Sequence, residues 1–235
     1  WQKKYFESQP GTASVEVVGS PNYDVMRPMY ASALRQFDEV QTTGWSNFIL
    51  INTRFTGANG VLGIEDLLSA SSAISKNVSN LETQTRICSD GELMFKFTRL
   101  ALEIQKEMPN ERIVIRPHPA ERPELYAVLT KDNPNIRVTG EGDVGSWIRM
   151  SKCIIHNGCS TAIQANIAGK PVISFTPLDG ADDHIPGLTN RIGCRATSIE
   201  QVLSFLRHID HQSDDKSAWK TTISQIDSIE SLANS

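Results

Sequence analysis

The sequence predicts an α/β protein: a parallel sheet with helices on both faces. Three observations carry this. Short β-type runs and amphipathic helical segments alternate between residues 47 and 175. Such alternation means βαβ units, whose crossover helices cover both sides of a parallel sheet. The run NFILINTRF (47–55) is strongly apolar and ends in polar groups, as a buried strand with a working carboxyl edge does.

Taken in order, SVEVVGSPNYDVMRP (14–28) holds a short Val-rich strand ended by the turn signal Gly-Ser-Pro. A helix is expected over 29–39 and a strand over 47–55. Residues 56–90, rich in Ser, Asn and Gly and without an aromatic, read as a long loop with some helix around IEDLLSASSAI. An amphipathic helix follows, with Leu93, Phe97, Leu100, Ala101, Ile104 and Met108 on one face. Strands at 112–116, 135–139, 152–156 and 171–175 then alternate with helices at 122–130, 143–150 and 160–168. Thr197 with Glu200 forms a capping-box pattern opening a helix to about 209. A last polar helix is expected over 215–232.

With 235 residues, 39% hydrophobic and 21% charged, the chain has the composition of a globular protein with a sizeable core. A net charge of -4 gives no general electrostatic reason to bind nucleic acid. The five histidines are scattered and the four cysteines show no zinc spacing, so no metal site is expected. Cys153, inside an apolar run, reads as a buried free thiol and suggests a reducing compartment. No run of about 18 apolar residues is present. The opening WQKKYFESQPG lacks an initiator Met and a signal-peptide pattern, so the numbering is expected to begin inside a longer protein.

Two motifs carry chemistry. In RIVIRPHPAERPELY (112–126), Pro117 and Pro119 fix φ on either side of His118 and restrict Arg116 and His118 to extended backbone. The prolines therefore aim a histidine at the edge where open α/β sheets bind ligands. In CIIHNGCSTAIQANIAGKPVISF (153–175), a strand, an Asn-Gly turn at Asn157 and a helix starting at Ser160 and Thr161 follow one another. Free N–H groups and two hydroxyls there suit a phosphate; the alternative is that Ser160 or Thr161 caps its own helix. His156 is expected to pack as the end of its strand. Glu121, Arg122 and Glu124 read as solvated first-turn charges.

Read together, VVGSPNYDVMRP, FILINTRF, RPHPAE, GEGDVGSWIRMSKCIIHNGCSTAIQANIAGKPVISF and DHIPGLTN follow in an order that resembles bacterial surface-carbohydrate biosynthesis proteins related to the Kdo transferases of capsule and O-antigen assembly. The resemblance spans roughly residues 14–190. It implies the C-terminal, donor-binding half of a GT-B glycosyltransferase, Rossmann-like, using a CMP-activated sugar such as CMP-Kdo and no other cofactor. On that basis residues 1–46 are a linker and remnant of a preceding domain, 47–212 the nucleotide-sugar-binding domain, and 213–235 a C-terminal helix.

The same resemblance implies that His118 meets the CMP phosphate or ribose, with Arg116 and Asn157 beside it. Ser160 and Thr161 would meet the phosphate, and Glu141 would lie near the nucleoside. Gln164 stands where similar proteins usually carry Glu, so a ribose contact there loses its charge-assisted part. Asp182, Asp183 and His184 would form a loop over the donor. The catalytic residue is assigned to no position: the acceptor-binding domain and its acid would precede residue 14, and Asp179, Asp182, Asp183 and Glu141 are poor replacements. The partners implied are a nucleotide sugar and a glycan or glycolipid acceptor, with cytoplasmic work at the inner membrane face and peripheral membrane association. An apolar face left by the absent domain would favour self-association. CDP-glycerol-type polyol-phosphate transfer and a non-catalytic nucleotide-binding module are the competing readings.

Overall fold

The structure is a computed structural model that describes residues 20–74, 80–178 and 189–211, together with Ser8 and Ser14. Among them, six strands pair in parallel throughout: β1 (Ile49–Asn52), β2 (Ile113–Arg116), β3 (Ile136–Val138), β4 (Cys153–His156), β5 (Val172–Phe175) and β6 (Cys194–Ala196). Their order is β3-β2-β1-β4-β5-β6, so the strand sequence reverses between β1 and β4. This is the expected α/β, Rossmann-like sheet.

The helices are α1 (Pro21–Asp24), α2 (Ala31–Gln41), α3 (Thr56–Asn59), α4 (Ile64–Ile74), α5 (Asn80–Glu107), α6 (Pro123–Thr130), α7 (Val144–Met150), α8 (Thr161–Ile167) and α9 (Ile199–His211). The side-chain period of two along each strand divides the core into two layers. Ile49, Ile51, Ile113, Ile115, Cys153, Ile155 and Ile173 face α5, α6 and α9, where Phe97, Leu100, Ile104, Tyr126 and Leu206 pack on them. Leu50, Val114, Ile154 and Val172 face the other way, against Trp147, Ile148, Ala162, Ala165 and Met26. Helices therefore cover both faces, and Met26, just past α1, belongs to the second layer. A paired Arg149 and Asp38, nearly buried and bonded at 2.6 and 2.8 Å, brace α7 against α2.

Three elements differ from the sequence expectation. Helix, not loop, fills most of 56–90: α5 begins at Asn80, about three turns before the apolar stripe at Leu93. Polar composition masks it, because Thr83 and Thr98 are buried on that stripe and Thr98 Oγ1 donates back to the Met94 carbonyl. Strand β6 was not anticipated; it is a three-residue edge strand with Arg195 exposed. The cap of α9 sits one residue later than the Thr197–Glu200 pattern. Gln201 N donates to Ser198 Oγ at 3.3 Å, while Gln201 Oε1 accepts from Thr197 N at 2.8 Å. The Val-rich run at 15–19 and the helix expected over 215–232 lie outside the described residues.

Several of the large exposed apolar side chains fall in two stretches of the chain. Met29, Tyr30, Phe37 and Val40 lie on and just before α2, and Val61, Leu62 and Ile64 lie between α3 and the start of α4. Among the described residues no helix is long and apolar enough to cross a membrane.

Candidate functional site

Four strands carry a polar row at or beside their carboxyl ends. Asn52 pairs in register with Arg116 on one side and His156 on the other, and His156 with Ser174. One residue earlier in the same alternation the sheet is apolar. The row lies at the carboxyl ends of the strands, where the strand order reverses, and such a switch point opens a crevice between neighbouring loops. Strands β2 and β4 flank β1, so the segments following them stand about 10 Å apart.

After β2 the chain enters the Pro-His-Pro segment. Pro117 is buried and His118 is exposed. Ala120 N donates to His118 Nδ1 at 3.1 Å, so a neutral ring carries its proton on Nε2, facing outward as a donor.

Beneath this segment lies a residue the sequence reading placed in solvent. Glu121 is only 3% exposed. Its Oε2 accepts from Thr53 Oγ1 and from His118 N, both at 2.8 Å. Its Oε1 accepts from Phe55 N at 3.0 Å and from the Tyr126 hydroxyl at 2.7 Å. Both oxygens are thus doubly engaged, all by uncharged donors. Burial, helped by the adjacent Glu121, pushes the Tyr126 phenol well above its ordinary pKa, which keeps it a donor. First-turn position suggested a solvated charge. The buried setting arises because the loop after β1 folds over the loop after β2: Val61 N donates to Ala120 O and Arg122 N to Asn59 O, each at 2.9 Å. Arg122 and Glu124 stay exposed as expected.

Arg116 does not point freely into the crevice. Its guanidinium donates to the carbonyls of Glu141 and Gly142 at 2.6 and 2.7 Å, tying the β3–α7 loop to β2. Glu141 is exposed on that loop, and its carbonyl also accepts from Trp147 Nε1 at 2.8 Å.

The β4–α8 junction is built differently. Gly158 sits at φ 65°, the left-handed region an Asn-Gly turn uses. Asn190 Oδ1 accepts from Gly158 N at 2.7 Å and from Ser174 Oγ at 3.0 Å, and Arg54 Nη1 donates to the Gly158 carbonyl at 3.2 Å. Ser160 is exposed and makes no side-chain capping bond. Thr161 turns inward: its hydroxyl donates to Cys159 Sγ at 3.0 Å and accepts from Asn52 Nδ2 at 2.7 Å. Gln164 is half-buried one turn along α8.

His156 is fully buried, as expected of a packed strand end, and burial pushes its pKa down to about 4. Its Nδ1 accepts from Cys159 N at 3.3 Å, which leaves the Nε2 proton without a partner among the described residues. Asn52 Oδ1 and Asn157 Oδ1 likewise lack one, although Asn157 Nδ2 donates to the Phe175 carbonyl at 3.1 Å. Three partnerless polar atoms thus gather at the ends of β1 and β4.

The structure thus brings Arg116, His118, Glu141, Asn157, Ser160, Thr161 and Gln164 to the loops and helix starts of one sheet edge. Asp179, Asp182, Asp183 and His184 lie outside the described residues. Sequence reasoning missed Glu121, Asn52, Arg54 and Asn190. The polar end of FILINTR was the available signal for Asn52 and Arg54. Nothing local distinguishes Glu121 from a helix-start charge. Among the described residues no cluster of three or more His, Cys, Asp or Glu is placed to hold a metal.

No protein-family model and no curated protein matches the chain. Solved structures do. A UDP-GlcNAc 2-epimerase of Methanocaldococcus jannaschii, in complex with UDP-GlcNAc and UDP, aligns at TM-score 0.51 and 12% identity, over 87% of this chain and 49% of that one. The wall teichoic acid polymerase TagF aligns at TM-score 0.52 and 16% identity, over 94% of this chain and 50% of that one. A β-Kdo 2,7 transferase of Thermosulfurimonas dismutans aligns at TM-score 0.30 and 15% identity, over 66% of this chain and 46% of that one. At these identities the first two comparisons establish the fold. The chain spans about half the length of each of them.

Proposed function

We propose that the chain binds a nucleotide-activated sugar at the carboxyl edge of its sheet, as the donor-binding half of a GT-B glycosyltransferase, with a CMP-linked sugar such as CMP-Kdo as donor. The observation that carries the proposal is the pairing, across the switch point, of an outward imidazole donor on His118 with the exposed, uncapped Ser160 at a glycine turn. The epimerase that shares the fold holds UDP-GlcNAc and UDP, which supports a nucleotide-sugar ligand.

In this reading His118 Nε2–H and the Ser160 hydroxyl donate to phosphate oxygens, and Arg54, bonded to the Gly158 carbonyl, supplies a cation. Glu141 and Gln164 lie toward the nucleoside. Glycosyl transfer breaks the bond between the anomeric carbon and the phosphate oxygen, so fixed donors stabilise the charge that develops on departing CMP. Acceptor activation needs a base at the anomeric carbon. Because the chain spans half of its structural neighbours, that group is assigned to the complementary half. The 235-residue chain alone then binds donor without turning it over. The acceptor is a glycan or glycolipid met at the cytoplasmic face of the membrane.

The same edge would also suit CDP-glycerol, whose transfer passes a polyol phosphate instead of a sugar. The fold shared with a wall teichoic acid polymerase favours keeping this second reading. A panel of CMP, CMP-Kdo, CDP-glycerol and UDP, followed by amide chemical-shift mapping, tests the site. The proposal expects cytidine ligands to perturb His118, Asn157 and Ser160. Perturbation confined to other surfaces, or efficient sugar transfer by the isolated chain, would count against it.

A further inference from the structure

We infer that Glu121 is the positioning residue of the candidate site, holding His118 in register with the loop after β1. This rests on the nucleotide-site reading for its purpose, though its geometry does not depend on it. A buried carboxylate with no cationic partner is costly unless its lone pairs are filled. Here four uncharged donors fill them, from three separate segments: Thr53 and Phe55 after β1, His118 after β2, and Tyr126 on α6. One oxygen is decisive. Oε2 holds Thr53 Oγ1 and His118 N together, so the backbone of the histidine is fixed relative to β1, the central strand at the switch point.

The consequence for the ring is direct. With His118 N fixed from below and prolines on either side, the following turn places Ala120 N against Nδ1. That contact selects the Nε2–H tautomer and directs it outward. Glu121 thus acts on the ligand only through His118. A glutamine in its place keeps the shape but presents two donors of its own. One oxygen position becomes an NH2, which cannot accept from the backbone amide it faces, that of His118 at the Oε2 position or that of Phe55 at Oε1.

Two readouts separate this role from ordinary packing. In Glu121→Gln, the side-chain nitrogen shifts of His118 should move from the Nε2–H signature toward those of a freely exposed imidazole, with no nucleotide present. CMP affinity should fall roughly tenfold in Glu121→Gln, yet by less than about twofold when His118→Ala is already in place, because coupled residues are non-additive. Thr53→Val loosens only Oε2 and should move the same His118 signals less; it stands in if Glu121→Gln does not fold. An unchanged His118 tautomer signature, or additive affinity losses, would overturn the positioning role. If the wild-type chain binds no CMP, the nucleotide-site reading fails, and the tautomer measurement still decides the role of Glu121.

Discussion

The two sides of the switch point are built on opposite principles. On the β2 side, the Glu121 carboxylate engages four donors, both of its oxygens doubly used, and the two loops are bonded to each other through their backbones. On the β4 side, His156 Nε2 and Asn157 Oδ1, with Asn52 Oδ1 at the end of β1, are buried without a partner among the described residues. Buried polar groups are nearly always satisfied, and exceptions call for an explanation. The contrast teaches that the two sides of β1 treat their buried polar groups differently. One side spends its polar groups on holding a shape, and the other keeps polar capacity at the edge where a ligand is proposed.

The largest expected effect breaks the satisfied side. Glu121→Leu leaves Thr53 Oγ1, Phe55 N, His118 N and Tyr126 OH facing a hydrocarbon, at about 1–3 kcal/mol for each donor left buried and unpaired. A loss of about 4 kcal/mol or more is expected, lowering the melting temperature on the order of 10 °C for a chain of this size. Unfolding in urea or by heat reads it directly. A change under about 1 kcal/mol would mean that water reaches the cluster.

Next comes pH. The folded-state pKa of His156 is pushed below its ordinary 6.5 to about 4, because burial disfavours the imidazolium. Between those values the unfolded chain binds more protons than the folded one. Stability is therefore full above about pH 6.5 and falls as pH drops toward 4, by about 3 kcal/mol from this group. Urea unfolding at stepped pH checks it, and His156→Gln should flatten that part of the profile. An equally steep profile in His156→Gln would place the titration elsewhere.

The smallest effect sharpens the comparison on the other side. Asn52→Leu removes the hydrogen bond to Thr161 but also removes a buried acceptor that has no partner. The two changes offset, so the cost should stay within about 1 kcal/mol. If it matched the cost of Glu121→Leu, the two sides would not differ as described.

The scaffold was largely legible in the sequence, because its strands are short apolar runs and its helices carry regular stripes. The parts that were not legible have separate physical causes. Helix α5 was hidden where buried Thr83 takes an apolar position, and β6 is too short to show a period. At the site, the prolines announced His118, and the Asn-Gly turn announced the β4 junction. Glu121 could not be found locally, since its burial comes from Thr53 and Phe55, more than sixty residues earlier in the chain. Thr161 looked like a phosphate ligand from its place in the helix, whereas its hydroxyl is already engaged by Asn52 and Cys159.

The central claim is that this edge binds a cytidine nucleotide through His118, and calorimetry of CMP and UDP with the wild-type chain and His118→Ala tests it most directly. A charge-assisted contact is worth about 1.5–3 kcal/mol, so the substitution should weaken CMP binding roughly tenfold to a hundredfold while leaving the melting temperature almost unchanged. CMP should bind the wild type more tightly than UDP. Tighter binding of UDP, or CMP affinity unaltered by His118→Ala in a variant that melts early, would contradict the account.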